Sequence, residues 1–258
     1  MSATTANQTI LLNRVPKVTF DFWIIKLLAV TMGETAADYL AVNLGLGLTA
    51  TSLIMAGVLA VALVLQFRQR RYVPWSYWLA VVLVSIVGTL VTDNLVDNLG
   101  VSLVTCTAVF TVALAATFAL WYASERTLSI HKVFTTRREA FYWLAILFTF
   151  ALGTAVGDLI AEKFGIGYYS TGILFGMIIA SLAIGYWFLK LDPILGFWLA
   201  YILTRPLGAS VGDFLSQPGE YGGLGLGTTN TSIIFLLLIA LTVVYMTVTH
   251  DGDEAVAA

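Results

Sequence analysis

FWIIKLLAVTMGETAADYL, residues 22–40, opens on an aromatic pair and continues as an apolar stretch that still holds Lys26, Glu34 and Asp38. Gly33 comes ten residues after Trp23, and Asp38 five residues after Gly33. The same spacing recurs in Tyr77-Trp78, Gly88 and Asp93, in Tyr142-Trp143, Gly153 and Asp158, and in Phe197-Trp198, Gly208 and Asp213. A glycine-containing turn follows each aspartate, at 44–47, 99–102 and 164–167, and at 224–227 after a five-residue insertion in the fourth copy. Self-similarity at this period means four tandem structural repeats.

The surrounding composition decides what the repeats are. Of the 258 residues 59% are hydrophobic and 11% charged, too apolar for a soluble or a disordered chain. Thirteen Lys and Arg against fifteen Asp and Glu, a net charge of −2, disfavour nucleic-acid binding. Cys106, the one cysteine, excludes an intrachain disulfide and a cysteine-based zinc site. Eight apolar stretches match the roughly 20 residues that a bilayer core requires. They run over about 19–42, 49–67, 75–97, 103–123, 140–162, 170–189, 194–215 and 230–249. The fold class is therefore an all-α integral membrane protein of eight transmembrane helices, built as four parallel tandem hairpins. One membrane domain is expected over 19–250, with repeats at about 19–74, 75–138, 139–193 and 194–250. A polar cytoplasmic tail precedes it at 1–18 and a short tail follows at 251–258. The first 17 residues lack the apolar core of a signal peptide.

Arg14, Lys17, Arg68, Arg70, Arg71, Arg126, Lys132, Arg137, Arg138 and Lys190 all fall on one side of this scheme, and only Lys163 on the other. The positive-inside rule makes the richer side cytoplasmic, with both termini inside, as in a bacterial inner membrane. His131 and His250 read as surface histidines. The first helix of every hairpin then runs outward, so the copies are parallel repeats about an axis normal to the membrane. The aromatic pairs fit the cytoplasmic headgroup belt. Each Asp stands roughly 22 Å above its Trp, in the outer third of the membrane.

The candidate functional residues sit on these first helices. Asp38, Asp93, Asp158 and Asp213 share one depth, and an acid within a span is costly enough to need a reason. If the four helices line one axis, the aspartates converge with Glu34 into a cation- or proton-binding site, and oxygen ligands of this kind suit a hard metal cation. The competing reading is that the aspartates only hold helices together. Glu34 shares a helix face with Asp38; Thr89, Thr154 and Ala209 occupy its place in the other copies. Lys26 and Arg205 are deep bases that require partners and serve as counter-charges. Two bases against five acids leave three negative charges to be met by cations or protons. Gly33, Gly88, Gly153 and Gly208 mark small-residue seams for close helix packing. Thr51, Thr171 and Thr231 recur in the second helices and read as hydroxyls bonded to their own helix.

The segments 22–40, VGTLVTDNLVDNLG (87–100), LGTAVGDLIAEKFGIGY (152–168) and TRPLGASVGDF (204–214) resemble a family of bacterial membrane-anchored proteins built from a tandem two-helix repeat of unknown function. The resemblance covers nearly the whole chain. It implies an eight-helix membrane protein and no particular activity.

The residues themselves point to a secondary transporter or exporter of a small cation, a metal ion with protons as the optional coupling ion, whose halves 1–130 and 131–258 rock against each other. A membrane scaffold with structural aspartates is the alternative, and an intramembrane enzyme acting on a lipid or cofactor is a third. Enzyme motifs are weak: there is no phosphate loop, HExxH or Ser/His pair. Beyond the lipid bilayer, the partners expected are a small cation or proton and, as a further option, other copies of the chain. No cofactor other than a metal cation is called for.

The orientation is directly testable. In a Cys106→Ser background, a cysteine placed at Ser129 should resist membrane-impermeant maleimide in intact cells, and one in the 215–229 loop should react. External labelling at Ser129 would reverse the topology.

Overall fold

The structure, a computed structural model, describes residues 13–257, with side chains through residue 248. All regular structure among these residues is helical. Eight long helices follow in order: α1 (Phe20–Asp38), α2 (Leu48–Phe67), α3 (Pro74–Asp93), α4 (Leu103–Glu125), α5 (Thr136–Asp158), α6 (Tyr168–Phe188), α7 (Pro193–Ser216) and α8 (Thr228–Ala257). Seven of them are long and apolar enough to cross a membrane. The eighth, α1, falls short because Asp21, Lys26, Glu34 and Asp38 dilute its apolar run. The chain is an all-α, multi-pass membrane protein in contact with the bilayer. Residues 1–12 of the expected N-terminal tail and the side chain of His250 lie outside the description. The expected tail after 250 is instead a continuation of α8.

Local chemistry sets the helix ends. Thr135 accepts from the backbone N–H of Arg138, and Asp192 caps Ile194 and Leu195 just ahead of Pro193. In the first three repeats the aspartate closes the α-helix and a single π-helical turn follows, at Tyr39–Asn43, Asn94–Asn98 and Leu159–Lys163. Each wide turn ends on a glycine with positive φ, Gly45, Gly100 or Gly165, a conformation that L side chains avoid. The fourth repeat has no π turn. There α7 ends at Ser216, and the inserted residues fold back so tightly that a Cβ on Gly223 would strike the backbone of Gln217.

The first helices of the four repeats form a closed ring in the order α1, α3, α5, α7 and back to α1. The second helices form an outer layer. Each covers the inner helix of the next repeat: α2 lies on α3, α4 on α5, α6 on α7, and α8 returns to α1. Burial separates the layers. Of the inner spans α3, α5 and α7, 50–67% is buried, against 11–22% of the outer ones. Leu53, Val61, Val112, Leu120, Trp187, Leu241 and Val244 are among the exposed apolar side chains of the outer layer, as a lipid-facing surface requires.

Glycine makes the ring possible. A Cβ on Gly33 would collide with Ser85, on Gly88 with Phe150, on Gly153 with Arg205 and on Gly208 with Val30. Each of these neighbours stands three residues before the glycine of the following repeat. The pattern is cyclic, and the contact of Gly208 with Val30 closes it. With lipid on the outside there is no hydrophobic gain from pairing helices, so close van der Waals approach at small residues carries the association.

Gly88→Leu should therefore destabilise the detergent-solubilised protein by about 1–3 kcal/mol, the usual cost of overpacking. Gly57→Leu on α2, where an added side chain meets open space, should leave the melting temperature unchanged. Thermal unfolding followed by size-exclusion chromatography separates the two.

Candidate functional site

The ring axis is filled in layers, each set by one position of the repeat. At the end where the inner helices begin lie the four aromatic pairs. Phe22 meets Trp78 at 5.6 Å between ring centroids, Tyr77 meets Trp143 at 5.5 Å, Tyr142 meets Trp198 at 6.2 Å, and Phe197 meets Trp23 at 5.7 Å. The first aromatic of each repeat thus packs on the tryptophan of the next, and the circle closes on itself. This corrects the expected headgroup belt. Phe22, Tyr77, Tyr142, Trp78, Trp143 and Trp198 are buried because the pairs face inward and seal the end of the ring.

Lys26 lies one turn above them and is fully buried. Its ammonium donates to the backbone carbonyl of Tyr201 at 3.1 Å and to the hydroxyl of Thr204. It also stands 3.9 Å from the centroid of the Tyr201 ring and 5.4 Å from that of Phe150. No acid pairs with it among the described residues. The expectation that a nearby acid would be its partner is not met.

Arg205 does have one. Its Nη1 lies 2.8 Å from Oε2 of Glu34, and both side chains are essentially buried. Its Nη2 donates to Thr154 Oγ1 at 2.8 Å and to the hydroxyl of Thr89. Thr89 in turn donates to Glu34 Oε2 at 3.2 Å. The base therefore reaches the first repeat, not Asp213 of its own. Glu34, Thr89 and Thr154 all stand one residue past their repeat's glycine, and Arg205 meets all three on the axis. The fourth residue of that layer is Ala209 of Arg205's own helix. Pro206 packs beside Gly153 and Gly157 of α5, so those glycines accommodate the Arg205–Pro206 pair.

Above this plug stand the aspartates. Asp38, Asp93 and Asp158 are half-buried, and Asp213 is buried at 7% exposure. Glu34 acts on all four by Coulombic repulsion, and Asp158 lies within reach of Asp38, Asp93 and Asp213 as well. Asp38 is approached by Gln217 Nε2 at 3.5 Å. Among the described residues, Asp93, Asp158 and Asp213 form no side-chain hydrogen bond or ion pair. The acids share an electrostatic field, yet no three His, Cys, Asp or Glu side chains among the described residues come close enough together to hold a metal ion. Each aspartate is one residue past the small-residue seam, about 100° round the helix. It stands beside the helix contact and not on it.

Sequence reasoning passed over Thr89 and Thr154 as mere equivalents of Glu34, and gave Phe150, Thr204 and Tyr201 no role. Their signal was present in the repeat register, at the positions one after, three before, four before and seven before the glycine. Glu139 was also missed. It is wholly buried at the start of α5, where it pairs with Arg14 at 2.6 Å and accepts from Gln66 at 3.0 Å. Asn13 ties the same stretch of chain to the carbonyl of Ile130 and the N–H of Val133. His131 is exposed. Thr171 and Thr231 each bond their own helix at 2.8 Å, whereas the hydroxyl of Thr51 has no partner.

A ring of four parallel two-helix repeats, each bringing the same aromatic, glycine and aspartate to one axis, defines the class: a pseudo-fourfold membrane bundle with a charged core. The model of the family described as Repeat of Unknown Function (DUF347) matches four times, over residues 22–72, 76–127, 141–191 and 196–251. The chain belongs to this family. No curated protein and no solved structure matches it.

Removing one partner of the central pair should be costly. Arg205→Met should lower stability by about 3–5 kcal/mol, because Glu34 is left as an unpaired buried charge. Adding Glu34→Gln to Arg205→Met should restore part of the loss. A double-mutant cycle on melting temperatures checks this. Additive effects would mean that the two residues do not interact.

Proposed function

We propose that the protein is a secondary transporter or exporter of a small cation in a bacterial inner membrane, with both termini cytoplasmic and with protons as the coupling ion. One observation carries the reading. Four membrane-embedded carboxylates gather around Glu34 without basic partners of their own, directly above an ion pair that blocks the axis. Acids that only held helices would be expected to spend their oxygens on donors across an interface. Asp93, Asp158 and Asp213 leave theirs free for a cation or a proton, and Asp38 accepts only one long bond from Gln217.

The geometry also narrows the proposal. With no three-ligand cluster among the described residues, a proton or a loosely held monovalent cation fits this conformation better than a chelated metal. Asp38, Asp93, Asp158, Asp213 and Glu34 would form the outer vestibule, where a shared negative field concentrates cations. Arg205 would release Glu34 as the axis opens. The outer helices interlock the two halves, with α4 lying on α5 and α8 on α1. Opening is therefore better drawn as a rearrangement around the ring than as rocking of 1–130 against 131–258. The scaffold reading draws on a different observation: the cytoplasmic end of the ring is sealed by aromatic contacts, as in a protein that never opens.

Flux in liposomes decides between them. Asp38→Asn and Asp213→Asn should each cut cation uptake by purified protein about tenfold, a typical cost of disturbing an ion site. If all four single Asp→Asn variants matched wild type from mildly acid to mildly alkaline pH, the aspartates would be structural and the transporter reading would fall.

A further inference from the structure

Glu34 is the acid that enters the core, and Arg205 occupies it. Lys26, one layer below, is left with a carbonyl, a hydroxyl and two ring faces. The charged and titratable groups beside it are Arg205 and Tyr201, both from α7; Tyr77 of α3 and Tyr142 of α5 stand four positions earlier in the repeat register. The outer helix α8 carries no charged residue over 228–248. One cation in this core is neutralised and the other is not. The two residues also differ in chemistry: an ammonium can give up its proton and take it back, whereas a guanidinium stays charged.

The groups beneath Lys26 form a line. Tyr201, whose carbonyl holds the amine, sets its hydroxyl beside that of Tyr142 without an aligned hydrogen bond. The hydroxyl of Tyr142 meets that of Tyr77 at 2.5 Å. All three tyrosines are fully buried. Together they set hydroxyls within the aromatic seal, where the indole N–H groups of Trp78, Trp143 and Trp198 are turned to Tyr72, Glu139 and the carbonyl of Leu128. Thr149 holds in the third repeat the place that Thr204 holds in the fourth, and its buried hydroxyl is also unpartnered. Unsatisfied buried hydroxyls of this kind are where internal waters lodge. Above Lys26, Phe150 separates it from Arg205, with its ring 5.4 Å from the amine and 5.7 Å from the guanidinium.

We propose that this column is a proton path, with Lys26 as its loading group, the Tyr201–Tyr142–Tyr77 hydroxyls as its cytoplasmic limb and Phe150 as its partition. The proposal deepens the transporter reading, on which it rests, by naming the group that carries the coupling proton. The lone pair of the amine takes a proton from a hydronium ion that enters past Phe150, forming the ammonium and leaving a neutral water. The ammonium returns a proton to a water at Tyr201. Each phenol oxygen then accepts one proton as it releases another toward the cytoplasm. One proton enters, one leaves, and every residue is regenerated.

The test uses the full chain in liposomes with a trapped pH-sensitive dye, a potassium gradient and valinomycin. Wild type should move protons well above protein-free liposomes. Lys26→Met and Tyr142→Phe should each slow this about a hundredfold, the scale of losing a positioned proton-transfer group. Lys26→Arg, which keeps a cation and its donors, should be as slow as Lys26→Met, an outcome that a purely structural role for the charge does not give. Tyr142→Phe keeps the ring and its packing, so it decides the matter even if the Lys26 variants fail to fold. Phe150→Leu should speed the flux. The path is overturned if wild type moves protons no faster than empty liposomes, or if Tyr142→Phe conducts like wild type. Uptake of labelled Na+ or Mg2+ at equal pH, measured on the same liposomes, separates the two ideas. Cation uptake without proton movement would overturn the path and the proton coupling and keep the cation transporter. Proton movement without cation uptake would keep the path and overturn the transporter.

Discussion

Four helices can share one axis only where each lets its neighbour come close, and here a glycine does so at the same height in every repeat. Gly33, Gly88, Gly153 and Gly208 each receive the residue three before the next repeat's glycine, and the last contact returns to the first helix. The ring is closed by this steric cycle. The aromatic cycle below it and the carboxylates above it follow, because a fixed rise per residue carries one register along all four helices. The outer helices extend the logic: each leaves its own repeat to cover the next, so every repeat depends on its neighbour.

On this near-symmetric frame the chemistry is asymmetric. The layer three before the glycine holds Val30, Ser85, Phe150 and Arg205; the layer one after it holds Glu34, Thr89, Thr154 and Ala209. Only one base can occupy the axis at that height, and Arg205 does so by bonding the matching residues of the other three repeats. Two threonine hydroxyls offset part of the cost of burying this ion pair by accepting from Nη2, whereas Nε has no hydrogen-bond partner. Lys26 received no such partner set, and its isolation distinguishes the two cations of the core. The fourth repeat departs furthest: it alone has a proline within its inner helix and an inserted loop in place of the π turn.

The aspartates remained legible as a set because their spacing from the glycine is constant. Their neighbourhood was not legible. A five-residue step from the glycine fixes the height of Asp38 and its direction on α1. It does not fix how far apart four such carboxylates stand once the helices pack at glycine-limited distances. The structure places them within one another's field but short of a metal-binding cluster.

The sequence by itself determined the repeat number, the membrane class, the parallel arrangement of the copies and the residues that share a level, since periodicity and hydropathy are properties of the chain alone. Tertiary structure decided the partners. That Arg205 answers to Glu34 across 171 positions of sequence, that Lys26 rests on the backbone of α7, and that the aromatic pairs turn inward to seal the ring are all contacts between different repeats. The repeat spacing is compatible with several ways of facing four helices toward one another. Only closing the ring at its glycines, with α8 returning to cover α1, selects which faces meet.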